Sequence, residues 1–217
     1  MINLVIKDIL IQKKTFLFAL FYTIVSATGF FTMNNNGFVL YELSPMVIIY
    51  MFITYAASYD DKNKSEFVLN SLPLKRNQIV ISKYLSAFVF AAIGVIYSIS
   101  VGFLARTTGL ISTRSISLFD VVSVLASASI YSSMYFVMYF KFGGVKANQI
   151  IVIVIIIFSS IPLLVFANGN ENVLTKMYYF IIRTTSLSIN SLALMIGLIL
   201  NLISLVISIR LYKNKEF

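Results

Sequence analysis

The sequence predicts an all-α integral membrane protein, and three observations predict it. Only 12% of the 217 residues are charged while 59% are hydrophobic, a charged share about half that of ordinary soluble domains. The mean hydropathy is +0.91. Six segments approach the roughly 20 apolar residues that carry a helix across the hydrocarbon of a bilayer. The polar stretches between them are too short to bury a core of their own, so the chain reads as a single transmembrane domain over 1–217.

The composition also excludes chemistry. Cysteine and histidine are both absent, which removes disulfides, thiol catalysis, haem ligation and most zinc sites, together with the Ser–His and Cys–His nucleophile pairs. There is no G-x-x-x-x-G-K-[ST] phosphate loop. The chain is therefore not expected to be an enzyme, and no catalytic, cofactor-binding or metal-ligating residue is expected in it.

Taken in order, residues 1–14 precede the first span. Ile2, Val5 and Ile9, with Ile6 and Leu10 less regularly, form an apolar stripe, and Lys7, Lys13 and Lys14 lie off it. An N-terminal amphipathic helix on the inner leaflet fits this pattern; a straight extension of the first span fits it equally. Lys7 and Asp8 interrupt the apolar run and no small-residue cleavage site follows, so the segment does not read as a cleavable signal peptide. Six transmembrane helices are expected at about 15–33, 43–59, 84–105, 116–140, 150–166 and 189–209, the second and fifth short enough to require little tilt.

Span three carries Gly94, Ser98 and Gly102, and span four the pairs Ser123/Ser127, Ala128/Ser132 and Ser129/Ser133. Four-residue spacing puts each set on one helix face, where small side chains let backbones approach; close packing is preferred here to a wall for an apolar substrate. Glu42 and Asp120 fall at the outer ends of spans two and four and read as interfacial residues, because a proton relay would sit near the midplane. Span interiors hold no ionisable residue and no carbonyl filter of the channel kind. After span five, Asn168, Gly169, Asn170 and Asn172 make a turn. The run from Val173 to Ile182 is too short to cross and predicts a short outer helix, with Tyr178 and Tyr179 at headgroup level.

Six spans put both termini on one side. That side holds Lys7, Lys13, Lys14, Lys62, Lys64, Lys75, Arg76, Lys83, Lys141, Lys146, Arg210, Lys213 and Lys215; the other holds Arg106, Arg114, Lys176 and Arg183. The imbalance makes both termini cytoplasmic. The net charge of +9 is then a topology signal, and no nucleic-acid partner is expected.

The insert "ASYDDKNKSEFVLNSLPLKRNQIVISK" at 57–83 is therefore cytoplasmic. Asp60 and Asp61 suit a helix N-terminus, and Asp60/Lys64 and Lys62/Glu66 are spaced for i,i+4 pairing. Phe67, Val68, Leu69 and Leu72 supply an apolar surface. Pro73 breaks the helix, and "NQIVISKY" restarts one. A solvated loop has no need of these apolar residues. Docking to a protein is preferred to dipping into lipid, since an anionic leaflet repels Asp and Glu.

"YDDKNKSEFVLNSLPLKRNQIVISKYL" resembles the first cytoplasmic loop of small ABC exporter permeases: an acidic start, a Glu a few residues on, "SLP", a basic residue, then "IV…KY". The whole chain is similar to them in topology. The resemblance implies that the loop is a coupling helix between spans two and three, seated on a separate ATPase subunit that binds ATP and Mg. Asp61, Glu66, Phe67, Leu72, Pro73 and Arg76 are the residues expected to carry the coupling. It also implies a second permease copy, as a homodimer or a heterodimer of paralogues, in the plasma membrane. The implied function is that of a permease subunit moving a hydrophobic or amphipathic substrate, peptide or drug-like, out of the cell or membrane. The small size points towards export of antimicrobial peptides or of the phenol-soluble modulin kind, and the abundance of Ile, Asn and Lys towards a Gram-positive bacterium. The rival is a six-span assembly factor or sensor without transport activity.

Overall fold

In hydrocarbon the backbone has no polar partner but itself, and every element of the computed structural model among the described residues is helical. The structure describes residues 1–29, 38–71, 75–108, 114–167 and 187–215. Its elements are α1 (Ile2–Ile11), α2 (Lys13–Gly29), α3 (Ser44–Lys62, entered through a π-helical turn at Val39–Leu43), α4 (Ser65–Ser71), α5 (Arg76–Thr107), α6 (Leu118–Phe142), α7 (Gly144–Ala167) and α8 (Leu187–Lys213). Four helical stretches, Val39–Lys62, Arg76–Thr107, Leu118–Phe142 and Ile189–Lys213, are long and apolar enough to cross a membrane. The bent pair α1–α2 makes a fifth candidate, and the apolar helix Gly144–Ile157 is shorter. The outer helix expected around 173–182 and the end of the first span near Met33 lie outside the described residues.

A bend of 64° between α1 and α2 rules out a straight extension of the first span. Gln12 is fully buried at the break, and its Nε2 donates to the carbonyl oxygen of Phe52 at 2.7 Å. Helix α1 thus turns away from the axis of α2, exposing Ile2, Ile6 and Leu10 and burying Asp8. The exposed i,i+4,i+8 stripe is apolar. The opposite side is not a solvated polar face but a contact with the bundle.

Aromatic rings fill the core: Phe52 meets Phe16 and Phe90 edge-on at 5.2 and 5.3 Å between centroids, and Tyr84 lies 4.8 Å from Phe136. The small face of α6 is covered by α8, as close packing predicts. A Cβ on Gly197 would lie 3.1 Å from the Ser129 Cβ. Asn201 Nδ2 donates to the Ser129 carbonyl at 3.1 Å and to Ser132 Oγ at 2.8 Å, and Ser204 Oγ donates to the Ser133 carbonyl at 2.6 Å. Gly94 lies against Pro45, whose Cα is 3.2 Å from where a Cβ would stand.

Helix α6 starts at a capping box of Ser117 and Asp120 and stops at Gly143, whose φ of +86° is one that glycine adopts without strain. Gly144 opens α7 hard against α3: a Cβ there would lie 2.7 Å from the carbonyl oxygen of Ala57. Because that contact is backbone and cannot swing aside, Gly144→Ala is expected to cost about 1–3 kcal/mol of overpacking. A thermal-unfolding midpoint in detergent unchanged from the parent would refute it; Val145→Ala, at an exposed neighbour, is the control.

One boundary departs from expectation. Helix α3 runs on through Asp60 and Asp61 to Lys62, and the break comes at Asn63 and Lys64, where Lys64 has φ +49°. The two aspartates therefore end one helix rather than start the next, and the Asp60/Lys64 spacing is interrupted by that turn. Each aspartate is instead drawn to a partner distant in sequence.

Candidate functional site

The end of the bundle where α3 gives way to α4 gathers most of the chain's charge chemistry. Asp60 lies in the last turn of α3, Lys83 in the third turn of α5, and Asp8 on the inward side of α1. Lys83 Nζ sits 2.8 Å from Asp8 Oδ1 and 2.5 Å from Asp60 Oδ2, and its residue is 5% exposed. Lys7 Nζ closes the cluster at 2.9 Å from Asp60 Oδ1 and 3.4 Å from Asp8 Oδ1, and Ser86 Oγ donates to Asp8 Oδ2 at 3.0 Å. Two carboxylates and two ammoniums make a neutral, hydrogen-bonded group, the form in which charge is tolerated inside a protein. It fixes α1 to α3 and α5 at once.

The neighbouring Asp61 does a different job. Its Oδ2 accepts from the backbone N–H of Val145 at 3.0 Å, capping α7 at the positive end of its dipole.

Helix α4 hangs from this platform with two faces. Leu69 and Glu66, three residues apart, turn inward. Leu69 is 8% exposed and joins Ile79, Phe140 and Tyr212 in the core. Glu66 Oε2 accepts from Lys215 Nζ at 2.6 Å. Phe67 and Val68 turn outward, 59% and 61% exposed. At the start of α5, Arg76 Nη1 donates to the carbonyl oxygens of Lys213 at 2.7 Å, Lys215 at 3.3 Å and Tyr212 at 3.5 Å, across the C-terminal end of α8.

Of the residues expected to carry coupling, the structure therefore displays Phe67 and engages Asp61, Glu66 and Arg76 in contacts that hold α7 and the end of α8. Leu72 and Pro73 lie outside the described residues. Val68 belongs beside Phe67. Asp8, Asp60 and Lys83 have no part in the coupling expected from the sequence; the signal for their cluster was an aspartate set in the apolar stretch of α1, with no local cation to answer it except Lys7.

A groove of about 480 Å³ runs between α2, α3 and α7. Tyr50, Thr54 and Ser58, four residues apart on α3, form a polar stripe along it, with Tyr55, Lys14 and Asn148 beside them. Asn148 Nδ2 donates to Ser58 Oγ at 2.7 Å and its Oδ1 accepts from Tyr135 Oη at 2.5 Å.

At the opposite end of the bundle, Arg114 grips Asp120 through two nitrogens at 2.7 and 2.5 Å and lies over the Tyr41 ring at 5.8 Å. The hydrogen bonds it donates to Asp120 raise the guanidinium pKa above its ordinary value. Glu42, 6% exposed, accepts from Ser123 Oγ at 2.8 Å. Both carboxylates are buried, and each lies in the first turns of its helical segment. The cluster staples the segment before α6 to Tyr41 and to α6.

A family model described as ABC-2 family transporter protein matches residues 3–213. No curated protein and no solved structure matches the chain.

Proposed function

The chain belongs to the ABC-2 family of transporter proteins, and from that membership we propose that it is the permease subunit of an ATP-driven exporter with α4 as its docking element. As a member it is a multi-pass membrane permease of an ABC transporter, a family whose members work with an ATP-binding partner. The carrying observation is the two-faced geometry of α4. Phe67 and Val68 stand out from the end of the bundle that holds most of the basic residues, while Leu69 is rooted where α5, α6 and α8 meet. An apolar pair in a polar surround is the form of an interface anchor, and a push on α4 passes through Leu69 to three long helices.

ATP and Mg are bound in the separate ATPase subunit, where the ATP is hydrolysed. The permease contributes the path. The stripe Tyr50–Thr54–Ser58 lines the groove between α2, α3 and α7, with Thr54 Oγ1 bonded to the Tyr50 and Met51 carbonyls and Ser58 Oγ to Asn148. A hydrophobic or amphipathic substrate, a peptide or a drug-like molecule, lies along this stripe with Phe18 and Met51 against its apolar side. Two permease copies close the groove from the membrane. Both termini and α4 lie in the cytoplasm, and export of antimicrobial or modulin-like peptides from a Gram-positive cell is the narrowest form of the reading.

Purification of the tagged chain from native membranes in mild detergent is expected to bring down an ATPase with a phosphate loop. A preparation without one overturns the transport reading in favour of an assembly factor or sensor. Topology is checked separately in the cysteine-free chain. In intact cells an impermeant thiol reagent is expected to label Ser115→Cys and spare Asn214→Cys; the reverse pattern would put α4 on the wrong side for any ATPase.

A further inference from the structure

We infer that the C-terminal end of α8 is a positioning strut for α4, with Lys215 acting through Glu66 and Arg76 acting through the last carbonyls of α8. The inference rests on α4 being the docking element and adds to it the residues that set its pose.

Helix α4 has seven residues, well below the roughly 12 at which a helix becomes marginally stable alone. On one side is the turn at Asn63 and Lys64, with Lys64 at φ +49°; on the other the sequence continues into Leu72–Pro73, where the helical register is disfavoured. The pose of α4 must therefore come from tertiary contacts. Leu69 supplies an apolar anchor, but a single anchor leaves the helix free to pivot about it. Glu66, one turn earlier on the same face, supplies a second point through Lys215, 149 residues away. With both points held, Phe67 and Val68 can only face outward.

Lys215 lies beyond the last turn of α8 and needs support of its own. Arg76 gives it. One guanidinium nitrogen reaches the carbonyls of Tyr212, Lys213 and Lys215, satisfying acceptors that a helix end leaves open at the negative end of its dipole. Arg76 is also the first residue of α5. The same contact therefore ties the start of α5, the end of α8 and, through Lys215, the inward face of α4. Side-chain exposures of 31% for Lys215 and 18% for Glu66 leave the pair open to salt, which makes the strut weak enough to yield.

The test places a nitroxide on Val68→Cys in the otherwise cysteine-free full chain, with Ile96→Cys, an exposed site on α5, as the control. Lys215→Ala and Arg76→Ala are each expected to raise the mobile fraction at Val68→Cys and leave Ile96→Cys unchanged. Lys215→Arg, and the exchange Glu66→Lys with Lys215→Glu, are expected to restore the parent spectrum. On the tagged chain, Lys215→Glu alone should lower the retained ATPase about tenfold, the scale of losing one hydrogen bond to a charged group, and the exchange should recover it. An unchanged Val68→Cys spectrum, or an exchange that fails to restore it, overturns the strut. A spectrum that responds while ATPase retention does not overturns its role in docking. A parent chain that retains no ATPase counts against the docking reading instead, and the label series still decides whether α8 holds α4.

Discussion

Lys83→Ala is expected to cost about 3–5 kcal/mol, the scale of stripping one partner from a buried ion pair, and so to consume much of the stability of a typical domain. With Lys83 gone, Asp8 and Asp60 remain, each about 1% exposed, facing one another with only Lys7 to share. The chain should lose its sharp thermal transition in detergent and accumulate poorly in membranes. The sign of the effect is set by the uncompensated carboxylate and not by the lost lysine stem. The triple variant Asp8→Asn, Asp60→Asn, Lys83→Met removes all three charges and should therefore recover most of what Lys83→Ala loses. A Lys83→Ala chain that melts with the parent, or a triple variant no better than it, would mean that the cluster holds nothing together.

The legible and illegible parts of this molecule divide along the range of the interactions. The helices follow from apolar runs and from local punctuation: Pro45 in the first turn of α3, Ser117 with Asp120 at the start of α6, Gly143 at its end. The small faces of α5 and α6 were readable as packing surfaces because their spacing of four is a property of one helix. Asn201, which bridges α8 to two serines of α6, carried no such pattern. The ion cluster was not readable for the same reason. Asp8 and Lys83 are 75 positions apart, and Asp60 and Lys83 are 23 apart. Nothing in the spacing distinguishes Lys83 from the other lysines of the charge imbalance between the two sides. The candidate site was half legible. An apolar segment between charges pointed to Phe67, but whether Glu66 and Arg76 face a partner or the chain's own C-terminal end depends on where α8 stops.

Replacing both outward residues of α4, Phe67→Ala with Val68→Ala, is expected to weaken the hold on the ATPase by about 2 kcal/mol or more, roughly thirtyfold, and to abolish ATP-driven export at ordinary expression levels. Leu69 keeps its place in the core, so the membrane fold should be intact and the melting midpoint unchanged. That separation is what distinguishes a docking face from a structural one. It also separates Phe67 from Glu66. Glu66→Ala acts through the pose of α4, so its deficit should be partial and deepen with salt as the remaining electrostatic contacts are screened, whereas loss of an apolar anchor should change little with salt. If α4 instead lies on lipid, the double alanine will keep its ATPase and its transport. The exposed cations Lys62, Lys64 and Lys75 will then matter more, because each attracts an anionic leaflet by about 1 kcal/mol. The measurement is ATPase retained on the tagged permease, at low and high salt, for the double alanine, for Glu66→Ala and for the triple lysine variant. Retention lost only in the triple lysine variant would move α4 from the protein interface to the membrane surface.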